Sequence, residues 1–189
     1  MSYRSQNEMN ITAHDSFITI KKQIIIMKNN TVITKDAANK KLHVTREFAA
    51  PVEKVWKAWT ESSILDKWWA PKPWRTETKS MDFTDGGVWL YSMVGPEGER
   101  HYCRVDIEKV IAQQSFTALS SFCDENGNIN KDFPQMHWFS SFYSSDTGTR
   151  VEVELSFDAV ADMQKIIEMG FEGGFTMGLN NLEELLARE

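Results

Sequence analysis

Few side chains in this sequence combine the type and spacing that chemistry demands. His101 and Cys103 alternate along one segment, so on a strand they would share a face and bring an imidazole beside a thiol. Nucleophilic catalysis by such a pair needs a third group to orient the base, and no residue is indicated for that role by position. Cys123 and His137 would extend the set toward a His/Cys metal site. Their separations match no zinc pattern, and catalytic zinc takes three well-placed ligands. A hydrogen-bonded or cavity-lining histidine beside a buried thiol is the better reading. Asp124-Glu-Asn-Gly-Asn128 has the look of a calcium loop. Its glycine, however, falls fourth rather than sixth, and Gln135 takes the twelfth place, where a bidentate glutamate is required. It reads as a turn. Arg46, Arg104, Asp106 and Glu108 are strand charges of mixed sign, expected on a solvated sheet face, where cross-strand pairs contribute less than about 1 kcal/mol each. No Ser-His-Asp order, phosphate-cradling loop or carboxylate pair stands out. The expectation is no catalytic residue, no metal and no cofactor.

The elements that would position these groups can be read from periodicity. Leu42, Val44 and Phe48 alternate with His43, Thr45 and Glu47 as in a strand. Pro51 suits a first helical turn, and Val52, Val55, Trp56 and Trp59 follow at helical spacing. A second short helix carries Ile64, Leu65, Trp68 and Trp69 before Pro71 and Pro73 end it. Six strand candidates come next, over 75–83, 88–94, 99–110, 115–122, 136–145 and 149–157. Turn residues such as Gly95-Pro96-Glu97-Gly98 separate them. Ala159, Val160, Met163, Ile166 and Ile167 mark a short amphipathic segment. Phe171, Phe175, Leu179, Leu182, Leu185 and Leu186 then form a stripe over roughly four turns. Six hairpin-connected strands make an antiparallel sheet, and the terminal helix must cover one face, leaving a cavity between them. The fold class is α+β.

Composition bounds what such a domain can do. With 189 residues, 41% hydrophobic and 12% aromatic, the chain can bury one substantial core. A net charge of −6, with basic residues scattered, argues against a nucleic-acid surface. The longest aliphatic run, Ile24–Met27, is far too short to span a membrane. Two cysteines make no disulfide framework, so a reduced, cytoplasmic setting is expected. Residues 1–40 lack tryptophan and strong periodicity and read as an extension, disordered or forming an extra strand. Met27 is an alternative candidate start.

Several stretches together resemble a known family. They are Arg46-Glu-Phe-Ala-Ala-Pro-Val-Glu-Lys-Val-Trp-Lys-Ala-Trp59, Leu65-Asp-Lys-Trp-Trp-Ala-Pro71 and Met81-Asp-Phe-Thr-Asp-Gly-Gly-Val-Trp89, followed by Met93-Val-Gly-Pro-Glu-Gly98 and Gly170-Phe-Glu-Gly-Gly-Phe-Thr-Met-Gly-Leu179. The order of elements is similar to the START-like helix-grip superfamily, also called SRPBCC. Within it the motifs resemble the branch named for the activator of the heat-shock-protein ATPase, the AHSA-like domains. The resemblance covers about 41–188 and implies one domain over 41–189, a curved antiparallel sheet wrapped around a long C-terminal helix. It also implies that Trp89, Tyr91 and Met93 face inward. Val88, Leu90 and Val94 then lie on the other face, for which the N-terminal extension or a dimer partner would supply cover.

One fold hosts many activities, so function must come from the site. The first expectation is a non-catalytic protein that binds a hydrophobic or aromatic small molecule between sheet and helix. The candidate cavity residues are Trp69, Trp89, Tyr91, Met93, Cys103, Phe171, Phe175 and Leu179, with His101 or His137 for polar orientation. At least half of Trp56, Trp59, Trp68 and Trp69 are expected in the core, with one of the adjacent pair Trp68–Trp69 at the cavity rim. The resemblance also implies a chaperone-associated stress-response module, although the regulator proper carries an extra N-terminal domain for which about forty residues leave no room. A cyclase- or hydrolase-type enzyme is the third alternative. No nucleic-acid or membrane partner is expected, and the chain reads as a monomer or homodimer.

Overall fold

The computed structural model describes residues 31–188, so the readings of the 17–27 stretch and of Met27 fall outside the described residues. The chain enters the sheet at β1 (Val32–Asp36), which lies within the stretch set apart as an extension, and turns into β2 (Lys41–Phe48). Helices α1 (Val52–Thr60) and α2 (Ser62–Leu65) follow, then β3 (Arg75–Met81), β4 (Val88–Val94), β5 (Arg100–Ile111), β6 (Ser115–Cys123), β7 (Met136–Ser145) and β8 (Gly148–Ser156). Helices α3 (Val160–Glu168) and α4 (Phe171–Leu186) close the chain. The strands form one antiparallel sheet in the order β1-β2-β8-β7-β6-β5-β4-β3. Because β2 and β3 sit near opposite edges, the link between them must cross the sheet, and α1 and α2 make that crossing. This is the helix-grip α+β architecture that the order of elements implies.

Alternation explains most of the core. Leu42, Val44 and Phe48 point inward from β2 and Val151, Val153 and Leu155 from β8, all nearly inaccessible. Arg46 follows the same period, contrary to its expected place on a solvated face. Its side chain is only 2% exposed, and its guanidinium pairs with the Glu183 carboxylate of α4 and donates to Thr31 Oγ1 at 2.8 Å. A charge taken out of water persists only when paired and hydrogen-bonded, and here it fastens α4 to β2. On the other face, the loop after β6 lies over Leu90, with Gly127 against that side chain.

The second short helix stops at Leu65, earlier than its apolar stripe suggests. Beyond it, Lys67 and Trp68 donate to the carbonyls of Ile64 and Leu65 in a tighter i→i+3 turn. That turn separates the adjacent indoles. Trp68 is buried and donates from Nε1 to the Ala58 carbonyl at 2.8 Å, whereas Trp69 is left half-buried.

Helix α4 lies directly on this turn. A Cβ built on Gly178 would sit 3.0 Å from the Trp69 carbonyl oxygen, so only hydrogen fits there without movement. One turn later Asn181 Nδ2 reaches the carbonyls of Ala70 at 3.1 Å and Trp68 at 3.4 Å, capping oxygens that the short helix leaves unpaired. Gly178→Ala is therefore expected to lower the urea midpoint, at a cost of about 1–3 kcal/mol from backbone displacement. Gly173, where an added Cβ would meet nothing within 4 Å, is the control: Gly173→Ala should raise the midpoint, stabilising the fold by up to about 1 kcal/mol through helix propensity alone.

Candidate functional site

The C-terminal half of α4 is packed solid, with Leu179 and Leu182 fully buried. Its N-terminal half is not. Between it and the sheet lies a cavity of about 470 Å³. Tyr91 and Met93 from β4, Cys103 and His101 from β5, and Ser120 and Phe122 from β6 form the sheet wall. Met136 and Trp138 from β7 continue it. The roof is Ile166 of α3, Met169 and Gly170 just after it, and Phe171, Gly174 and Phe175 of α4, and the side is Trp69, Pro71 and Trp74. His101, Met169 and Gly170 are exposed, which places the mouth at the end of β5 facing the α3–α4 junction. There the ring of Trp74 lies against His101, centroids 5.1 Å apart.

Trp69 organises the interior. Its ring lies 5.5 Å from Trp89, 5.9 Å from Trp138 and 6.0 Å from Phe175, mostly edge to face. Such contacts add about 0.5–1.5 kcal/mol each beyond area burial. Trp69 Nε1 donates to the Tyr91 hydroxyl at 2.9 Å. Tyr91 in turn stacks on Trp89 at 4.0 Å. Trp89 Nε1 donates to Thr78 Oγ1 at 3.0 Å, and Thr78 Oγ1 donates to Asp66 at 2.7 Å. The wall is thus held from behind by hydrogen bonds that end on a carboxylate.

Of the residues singled out from sequence, the structure brings Trp69, Tyr91, Met93, His101, Cys103, Phe171 and Phe175 together around the cavity. Trp89, Leu179 and His137 stand away from it. Trp89 lies behind Tyr91, and Leu179 sits a turn beyond Phe175 in the solid half of α4. His137 faces outward, its Nε2 3.6 Å from Asp158, because the neighbouring Trp138 takes the inward position on β7. Sequence reasoning missed Trp138, Met136 and Phe122, although β7 and β6 alternate clearly enough to offer them. It also missed Trp74, which follows two prolines outside any periodic pattern.

Burial governs the chemistry. Burial pushes the Cys103 thiol up to about 12. Burial also raises the Tyr91 phenol well above its ordinary range. Both groups are therefore neutral near pH 7. Among the described residues no three His, Cys, Asp or Glu side chains are grouped to hold a metal ion. The Asp124 carboxylate is occupied by its own loop, accepting from the Asn126 and Asn128 amides and from Asn128 Nδ2 at 2.8–2.9 Å. A smaller hollow of about 180 Å³ on the outer face has its cations engaged: Arg100 pairs with Glu77, and Lys79 donates to the Glu125 carbonyl.

A family profile described as Activator of Hsp90 ATPase homolog 1-like protein matches residues 49–187. Solved structures are similar over most of their length. Protein Ms6760 from Mycobacterium smegmatis is 30% identical, with 83% of this chain and 97% of that one covered and a TM-score of 0.77. A protein from Arthrobacter aurescens is 26% identical, with 84% and 92% covered and a TM-score of 0.79. One from Staphylococcus epidermidis is 28% identical, with 83% and 94% covered and a TM-score of 0.73. No curated protein matches the sequence.

The thiol shift carries a pH dependence. A free cysteine ionises near 9.0, and Cys103 in the fold only near about 12. Between those values the unfolded chain sheds a proton that the native state keeps, so stability is full below 9.0 and falls as pH rises toward about 12. Urea midpoints measured across this window should decline for the wild type and decline less steeply for Cys103→Ala.

Proposed function

The chain belongs to the family of Activator of Hsp90 ATPase homolog 1-like proteins, and we propose that this member binds an apolar small molecule, non-covalently, in the cavity between the sheet and α4. The observation that carries this reading is the cavity itself. At about 470 Å³ it falls in the ordinary range for small-molecule sites, and its lining is mostly rings and methionines with a few polar groups. A chain that buries Leu179 and Leu182 completely in the second half of α4 could have filled the first half as well.

Gly174 supports the same reading. Glycine inside a helix is destabilising by about 1 kcal/mol relative to alanine. Gly178 has a packing reason to be glycine, but Gly174 does not: a Cβ there would meet only Pro71 Cγ, at an ordinary 3.8 Å. What a side chain at 174 would occupy is the cavity. The family's description supports a second reading, contact with an Hsp90-type chaperone, which an ATPase assay with purified chaperone would test.

Titration with the neutral fluorophore N-phenyl-1-naphthylamine, read by energy transfer from tryptophan, should give a saturable signal. Gly174→Phe should abolish it while leaving the thermal midpoint at or above that of the wild type. A wild-type protein that gives no saturable response to this or any other neutral apolar probe would overturn the reading.

A further inference from the structure

Resting on that reading, we infer that the ligand is an uncharged molecule with a hydrogen-bond acceptor, a carbonyl or ether oxygen, that receives the hydroxyl proton of Tyr91. The inference comes from which half of each polar group in the wall is already used. The Tyr91 oxygen accepts from Trp69 Nε1 at 2.9 Å, so what it has left to offer is its proton. The cross-strand neighbour of Tyr91 is Cys103, whose sulfur is a weak acceptor that a ligand oxygen would readily replace. Trp138, 7% exposed and also in the wall, has an indole N–H with no hydrogen-bond partner among the described residues. Buried donors without partners are uncommon, and an indole N–H can only donate. Ser121, also in the wall, accepts from Gln135 Nε2 at 2.7 Å and likewise has its proton left to give. Tyr91, Trp138 and Ser121 thus all offer donors, and the matching ligand brings the lone pair.

Charge narrows the class further. Among the described residues no lysine, arginine, aspartate or glutamate lines the cavity, and His101 stands at the mouth. An anion carried to Tyr91 would lose its hydration with no cation to replace it, and a cation would meet no carboxylate. Burial keeps the Tyr91 phenol protonated throughout the physiological range, so its donor character does not change with pH. The Trp89 stack behind it and the Trp69 bond above it hold the ring in one place, and the anchor is set before a ligand arrives.

Three probes of similar shape test this: 2-acetylnaphthalene, 2-isopropylnaphthalene and 2-naphthoate, titrated against wild type, Tyr91→Phe and Cys103→Ala. Tyr91→Phe should weaken the ketone about tenfold and leave the hydrocarbon within about twofold, because only the ketone loses a hydrogen bond. Cys103→Ala, which enlarges the cavity for all three probes, should leave the ratio of ketone to hydrocarbon affinity at or above its wild-type value, since it removes the competing acceptor. Naphthoate should bind most weakly of the three. The hydrocarbon reports whether the cavity of each variant is intact. If it binds normally while the ketone is unaffected by Tyr91→Phe, or is lost in Cys103→Ala instead, the assignment of Tyr91 is overturned. If naphthoate is the tightest ligand, the exclusion of charge is wrong. If neither neutral probe binds the wild type, it is the cavity reading that fails, and this inference fails with it.

Discussion

The site depends on one close approach, that of α4 to the carbonyl groups at the end of α2. Gly178 lets the helix backbone come within a hydrogen's width of the Trp69 carbonyl, and Asn181 turns that proximity into hydrogen bonds. Arg46 and Glu183 hold the same half of the helix to the opposite part of the sheet. With these contacts fixed, there is one place for the tryptophans that follow α2: Trp68 inside, Trp69 on the cavity wall. The open and the solid halves of α4 are two outcomes of one constraint. Where the backbone is drawn in, side chains interlock; a turn earlier, where small residues face the crossing loop, they do not.

The wall itself is a relay of polar contacts threaded through rings. Asp66 receives Thr78, Thr78 receives Trp89, Trp89 stacks on Tyr91, and Tyr91 receives Trp69. Aromatic side chains have few rotamers, and their N–H and O–H groups fix the remaining freedom once they are paired. The ring-built part of the wall is fixed in this way without a ligand, while Met93, Met136 and Met169 supply its adaptable part. The neutral thiol and phenol fit the same picture, in which burial sets the chemistry before any particular residue does.

How much of this is legible in the sequence depends on the kind of signal. Periodicity identifies the strands, the long helix and their order, because a half-buried element must alternate with a fixed period. Several motifs together point to the right superfamily. Periodicity also tells which face a residue takes, but not how far along the helix the packing closes. Hence it groups Trp89 and Leu179 with the cavity when one lies behind it and the other beyond it. Arg46 keeps the inward phase of its strand, and its charge suggests the wrong face. Its partner Glu183 is 137 positions away, a pairing no local pattern can announce. Trp74 lies after the prolines that end α2, where periodic reasoning has nothing to count.

Gly174 and Gly178 sit one turn apart on the same face of α4, yet they answer to different demands: one to the fold, the other to the space beside it. Any glycine codon is a single base from alanine and from valine. At 178 such a change would be purged with the stability it removes, whereas at 174 it would survive and leave a smaller chamber. The helix therefore separates heritable change in the volume of the chamber from heritable change in foldedness. Single steps at 174 can reshape that space while the architecture stays put.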